Sequence, residues 1–504
     1  MKHMNLTGDP WIPVLWGDGR RSEVSLLELF ERGGEIADLA VPPAERVALM
    51  RFLLCIVMRS LPLPETWPDW KKTTTDELAS KAAAYLRQWH DAFDLYGEHP
   101  FLQVIGLEKE NNATQDKLDF TLSSGNNHTL FDHGAKKDGR SHSDAWLARK
   151  LLVTQNFSTG GTIGPNSWNK IKTNDKPGNI AAPALEGNPL HVFCLGNTIL
   201  ESLRLNLIPK SELGTIELGV PVWEVMPNDP MEAQQFRSTL LGRMTPISRA
   251  VHIAEDKSTV SYAVACNYAK LPEFIDPYLS NKKVKNKKNG ETRVYLGIHA
   301  DRHPWRELES ILAFDRQGEG ITAPQIIQVK RYLPEDGFLR IWCGGVAVDK
   351  KKIAKYAFSG EWVMSFSIQQ INSEECVAQL FTFIRNSELV SEKIEKAVET
   401  YWKNLNELRK GAFESTTGQK RASANAIREY WNRLNSAVTS FLAKEDIGDF
   451  STLYNQLYVI ARQSFRDNIP SSSPWHIMAS EKTMLLFLSD LGKIIKPYLS
   501  KGDK

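Results

Sequence analysis

Cysteine is scarce in this chain of 504 residues, with only Cys55, Cys194, Cys266, Cys343 and Cys376. Their odd number and scattered spacing exclude a disulfide framework and a zinc ribbon, and imply a reduced, cytoplasmic setting. Long apolar runs are missing too. The longest, Phe52 to Met58, is bounded by Arg51 and Arg59 and is far too short to span a bilayer; no signal-peptide pattern is expected either. Net charge is nearly absent at +2, so nucleic-acid binding requires local basic clusters rather than a global field. No glycine is followed by Lys-Ser or Lys-Thr at P-loop spacing, which excludes a Walker A nucleotide site. What remains is an ordinary soluble composition, 42% hydrophobic and 24% charged. The chain is too long for one core, so two or more domains are expected. The opening MKHM reads as a cloning remnant before Met4.

The fold class expected is α+β. Residues 1–371 mix short helices, short strands and turn residues, and residues 372–504 lose the strand signal altogether. Ala44 to Met58 has helical periodicity, whereas 293–300, 338–345 and 362–368 read as strands. From Asn372, a capping-box start with Glu375, apolar residues recur at spacings of three and four through Leu380, Ile384, Ile394, Val398 and Leu405. Further stripes follow through Tyr430, Leu434 and Val438, then Leu453, Leu457 and Phe465, then Ile477, Met484, Leu491 and Ile495. Four amphipathic helices, none able to bury its stripe alone, predict a C-terminal antiparallel four-helix bundle with a domain boundary near Ile371.

Candidate sites are few. Gly160-Gly161, in "NFSTGGTIG", lacks dinucleotide-fingerprint spacing and reads locally as a turn with positive φ. Lys282, Lys283, Lys285, Lys287 and Lys288 precede the turn dipeptide Asn289-Gly290, which describes either a solvated loop or a hairpin tip for phosphate contact. In "SSGNNHTLFDH" the polar loop carries Phe131, either a docking residue or a plug folded into the core. His299, Asp301 and His303 offer metal-ligand types, but Arg302 and Pro304 argue against the helix that would align both imidazoles. A metal-dependent nuclease or hydrolase built on these three is the alternative function. Without a paired-carboxylate or Cys/His constellation, no enzyme and no cofactor is expected.

Taken in order, "NLTGDPWIPV" (5–14), "GEHPFLQ" (97–103), "SGNNHTLFDH" (124–133), "LLVTQNFSTGG" (151–161) and "CGG" (343–345) make the chain resemble the large subunit, the CasA family, of the type I-E CRISPR Cascade complex. The resemblance implies a non-catalytic subunit that reads a short motif, the PAM, beside the guide-paired target and helps open the duplex. On this resemblance Gly160 and Gly161 form a glycine loop entering the minor groove, and Lys287 and Lys288 a lysine finger. Asp349 and Lys350 form a wedge hairpin, where some members carry Asn and Gln. Asn127 and Phe131 dock toward the guide-RNA 5′ handle and the subunit that holds it. Arg428 and Arg433 lie on a bundle facing the small subunits and the displaced strand. The implied partners are PAM-bearing double-stranded DNA, the guide RNA, the other Cascade subunits and a helicase-nuclease, with no membrane.

Overall fold

Alternation of apolar and polar residues builds the first element. Ile12–Trp16 alternates buried and half-buried side chains, and pairs antiparallel with Arg21–Val24 on one side and Ile36–Leu39 on the other. The structure, a computed structural model, describes residues 4–499 apart from 109–112, 123–139, 159–166, 173–181, 257, 267, 269–273, 287–289, 313–320, 349–355, 410–415 and 444–448. The chain divides into two compact units: Met1–Ala300, Ser310–Tyr332 and Arg340–Val363 make the first, and Asp301–Glu309, Leu333–Leu339 and Met364–Lys504 the second.

In the first unit, helix Pro43–Ser60 begins with proline in its first turn, where the missing N–H costs no helical hydrogen bond. It is buried on every side from Ala44 to Met58, its charged Glu45, Arg46 and Arg51 included. Phe52 is its hub, with the rings of Trp11, Phe93, Phe101 and Trp223 between 5.5 and 6.3 Å away. Against it packs helix Asp144–Phe157, capped by the Ser143 hydroxyl accepting from the Trp146 N–H. His191–Leu195 pairs antiparallel with Phe338–Val348, whose other neighbour is Tyr356–Ser367. Glycine is needed in this sheet. A Cβ on Gly344 would lie 2.5 Å from the Trp342 ring, and one on Gly345 would lie 2.7 Å from the Pro189 carbonyl. Asn281–Asn286 and Gly290–Tyr295 form an antiparallel hairpin, so the lysine run is strand as well as tip, and the strand expected over 293–300 ends at Tyr295.

The second unit holds helices Glu374–Leu408, Thr416–Leu442, Phe450–Asp467 and Pro474–Ile495. Ser373, not Asn372, caps the first, because Asn372 ends the preceding short helix Ile368–Asn372. The first helix packs on each of the other three. Leu380, Ile394, Val398, Leu434, Val438, Leu457 and Leu491 are buried as their spacing requires, whereas Ile477 lies outside the stripe at 52% exposed. Polar stitches join the helices: Tyr430 donates to the Ser387 carbonyl at 2.8 Å, and Asn404 Nδ2 to Thr483 Oγ1 at 3.0 Å. Segment Asp301–Glu309 lies on two of these helices. Trp305 Nε1 donates to Asn435 at 2.8 Å, and the Arg306 guanidinium sits 3.5 Å over Trp431 while gripping Glu388 with two bonds.

Candidate nucleic-acid interface

Of the residues nominated for DNA and RNA contact, Arg428 and Arg433 lie on helix Thr416–Leu442. Asn127 and Phe131, Gly160 and Gly161, Lys287 and Lys288, and Asp349 and Lys350 all lie outside the described residues. The described residues that flank them show how the chain is held on either side.

The stem before Gly160 is the last turn of Asp144–Phe157. Gln155 is fully buried there and its amide is saturated: Nε2 donates to the carbonyls of Arg249 (2.8 Å) and Leu102 (3.3 Å), and Oε1 accepts from the Arg249 N–H at 2.9 Å. The hydroxyl of Ser158 donates to the Thr154 carbonyl, and the Ser158 carbonyl accepts from Ala182 N at 2.9 Å. Ala184 N likewise donates to the Asn156 carbonyl at 3.1 Å.

The run that begins at Ala182 then meets the lysine hairpin. Leu190 N donates to the Leu296 carbonyl at 2.8 Å, Val192 N to that of Tyr278 at 3.0 Å, and Ile298 N to that of Asn188 at 2.9 Å. The same run meets the strand that leads to Asp349. Asn188, in the left-handed region at φ 53°, clamps Val348 with both ends of its amide: Nδ2 donates to the Val348 carbonyl at 3.1 Å and Oδ1 accepts its N–H at 3.2 Å. The residues before 159–166, those flanking the lysine hairpin and the end of strand Phe338–Val348 are therefore all hydrogen-bonded to residues 182–192. Sequence reading missed this brace. Its one local signal was the pair Gly187-Asn188, a turn dipeptide able to take positive φ.

Beneath the brace lies a charged core. Arg51, 1% exposed, donates to Asp276 at 2.8 Å and to the Arg243 carbonyl at 2.9 Å. Burial alone would raise the Asp276 carboxyl, but the adjacent Arg51 outweighs it and holds the carboxyl below its ordinary value. His191, fully buried on the brace, is pushed down to about 3, by burial first and by Arg51 second, and is neutral near pH 7. Burial pushes the thiols of Cys55, Cys194 and Cys266 up to about 12, so none is a ready nucleophile.

The metal alternative fares differently. Among the described residues no group of three or more His, Cys, Asp or Glu side chains could hold an ion, and His299, Asp301 and His303 form no such group. Asp301 is exposed, and burial pushes His303 down to about 4. Two arginines of that stretch, Arg302 and Arg306, both bond Glu388. On the helices, Arg428 is exposed, whereas Arg433 is engaged by Glu429, by Asp467 at 2.8 Å and by Gln463 at 3.2 Å. Among the described residues no helix is long and apolar enough to cross a membrane.

A model of the family "CRISPR-associated protein Cse1" matches residues 5–462. The CRISPR-associated protein CasA/Cse1 of Thermus thermophilus is 32% identical over 335 residues, 64% of this chain. That match spans 62% of the relative's own length. The crystal structure of Thermobifida fusca Cse1 superposes with a TM-score of 0.78 at 20% identity, covering 99% of each chain. A chain of a CRISPR RNA-guided surveillance complex gives 0.72 at 18% identity, over 97% of this chain and 100% of that one. Both likenesses are of fold.

Proposed function

The chain belongs to the Cse1 family of CRISPR-associated proteins, and from that premise we propose that it is the non-catalytic DNA-recognition subunit of a type I-E, Cascade-like surveillance complex. In this reading, residues 372–504 are an antiparallel four-helix bundle, and residues 1–371 are the cytoplasmic PAM-reading and assembly domain. Guide RNA specifies the target sequence, and this subunit reads the PAM in the adjoining duplex. Gly160 and Gly161 approach the base edges of the minor groove, where side chains have little room. Lys287 and Lys288 neutralise phosphates, Asp349 and Lys350 part the strands, and Asn127 and Phe131 dock on the guide-RNA 5′ handle region. Arg428 faces the displaced strand, and the assembled complex recruits the helicase-nuclease.

The observation that carries the reading is the brace at residues 182–192, to which the residues before 159–166, those flanking the lysine hairpin and the end of strand Phe338–Val348 are all bonded. One duplex site read by separate loops demands fixed spacing between them, and a shared hydrogen-bonded run supplies it. The test is reconstitution of the guide-RNA complex with and without this chain on a duplex library with randomised PAM positions. PAM-dependent binding should appear only when the chain is present. Equal selection in both samples contradicts the proposal.

A further inference from the structure

Immediately after the glycine loop the chain turns back in a short hairpin, Ser167–Trp168 against Ile171–Lys172, with Asn169 and Lys170 as its two-residue turn. Both turn residues are left-handed, at φ 48° and 66°. Such a turn ordinarily takes Asn-Gly, and a lysine at its second position strains the backbone where glycine would not. The tip is nevertheless held firmly. Asn169 N donates to the Gly106 carbonyl at 2.9 Å, and its side chain donates to the Asn228 carbonyl at 2.7 Å. Gly106 is itself left-handed, and a Cβ there would fall 1.8 Å from Asn169 Oδ1, so the tip and its seat are fitted to each other.

Side-chain placement completes the argument. Trp168 is fully buried and anchors one face of the ribbon. Lys172, in register with Ser167, projects to the face opposite Trp168, Lys170 sits in the turn beside it, and both are exposed. Neither has a carboxylate partner among the described residues. A strained lysine on an anchored tip, beside a second lysine with no carboxylate partner among the described residues, leaves two positive charges together on one exposed ribbon. We propose that the Asn169–Lys172 ribbon is a phosphate-binding clamp, in which Lys170 and Lys172 grip the sugar-phosphate backbone of the target duplex flanking the PAM. This rests on the DNA-recognition reading above and adds a contact outside the glycine loop, lysine finger and wedge.

The test uses the reconstituted complex carrying Lys170→Gly, Lys172→Ala or both, with duplex affinity measured across a salt series on PAM-bearing and PAM-free DNA. The slope of log affinity against log salt should fall by about 1 for each lysine removed and about 2 for the pair. The ratio between the two duplexes should hold, because phosphate contacts position without reading sequence. Lys170→Gly relieves the left-handed strain, so its melting temperature should hold or rise while its affinity falls; a purely structural lysine would show neither loss nor slope change. An unchanged slope in the double variant overturns the clamp. Loss of guide RNA from the double variant with duplex affinity intact overturns it too, because the lysines then serve RNA. If wild type binds both duplexes equally but the variants still lose slope, the clamp stands and PAM reading by this chain falls.

Discussion

Arg51 shows what residue-level reading can and cannot deliver. In the sequence it only marks the edge of the apolar run Phe52 to Met58; in the fold it is buried with Asp276, 225 residues away, as its partner. Composition and periodicity carry no trace of a pair so distant in sequence. Removing one member strands a buried charge, so Arg51→Met should destabilise the first unit by about 3–5 kcal/mol, read by calorimetry. Arg51→Met with Asp276→Leu should recover much of that loss. His191 predicts a pH effect of definite sign. Its folded value, about 3, lies below the ordinary 6.5, so the neutral form is favoured by folding. Its contribution is complete above pH 6.5 and is lost progressively as pH falls toward 3. The full loss is on the order of 5 kcal/mol for a shift of that size. His191→Gln should flatten this part of the acid limb relative to wild type; identical acid limbs would show that His191 does not titrate on unfolding. Arg433 is a caution of the opposite kind. As a basic residue on a helix it reads as a DNA contact, yet reversing its charge would set a carboxylate beside Glu429 and Asp467. Arg428→Glu is the cleaner probe of that face.

At the scale of elements, hydrophobic spacing was a good guide wherever one face is buried. The stripes through Leu380, Leu434 and Leu457 are legible in sequence because packing enforces a 3.6-residue period. Leu380→Ala or Leu457→Ala should therefore cost about 2–5 kcal/mol in denaturant melts. Ile477 broke the pattern because it sits near the start of its helix and faces solvent. The lysine run was half legible: the Asn289-Gly290 turn announced a hairpin, but only the register shows that Lys282 and Lys283 belong to its strand. The brace was barely legible, because most of its bonds are backbone to backbone and only the Asn188 clamp on Val348 uses a side chain. Asn188 is where mutation can reach it. Asn188→Gly keeps the left-handed backbone and removes the clamp on Val348, while Asn188→Ala removes both. Alanine should cost about 1–3 kcal/mol and glycine less, and both should weaken binding to PAM duplex. Wild-type DNA binding by both variants would detach the wedge strand's stem from function.

For the whole molecule, the two units answer to different physics. Strand signals that stop near Ile371 and apolar spacings of three and four beyond it pointed to a mixed first part and a helical remainder, and the last strand described is Tyr356–Ser367, with only helices after it. Segments 301–309 and 333–339 join the second unit against their position in the chain. For 301–309 sequence could not show this, since it rests on Trp305, Arg302 and Arg306 finding Asn435 and Glu388 far downstream. The central claim remains that this subunit reads duplex DNA through a backbone that approaches the minor groove closely. Glycine satisfies two demands there, freedom of φ and the absence of a Cβ, and a plain turn makes only the first. The most direct measurement is the affinity of complexes carrying Gly160→Ala or Gly161→Ala for a PAM-bearing duplex and for the same target already single-stranded. The account predicts a loss of about tenfold or more on the duplex, a much smaller loss on the opened target, and a melting temperature within a few degrees of wild type. Equal losses on both substrates, or unfolding of the variants, would contradict it and leave these glycines with a structural role alone.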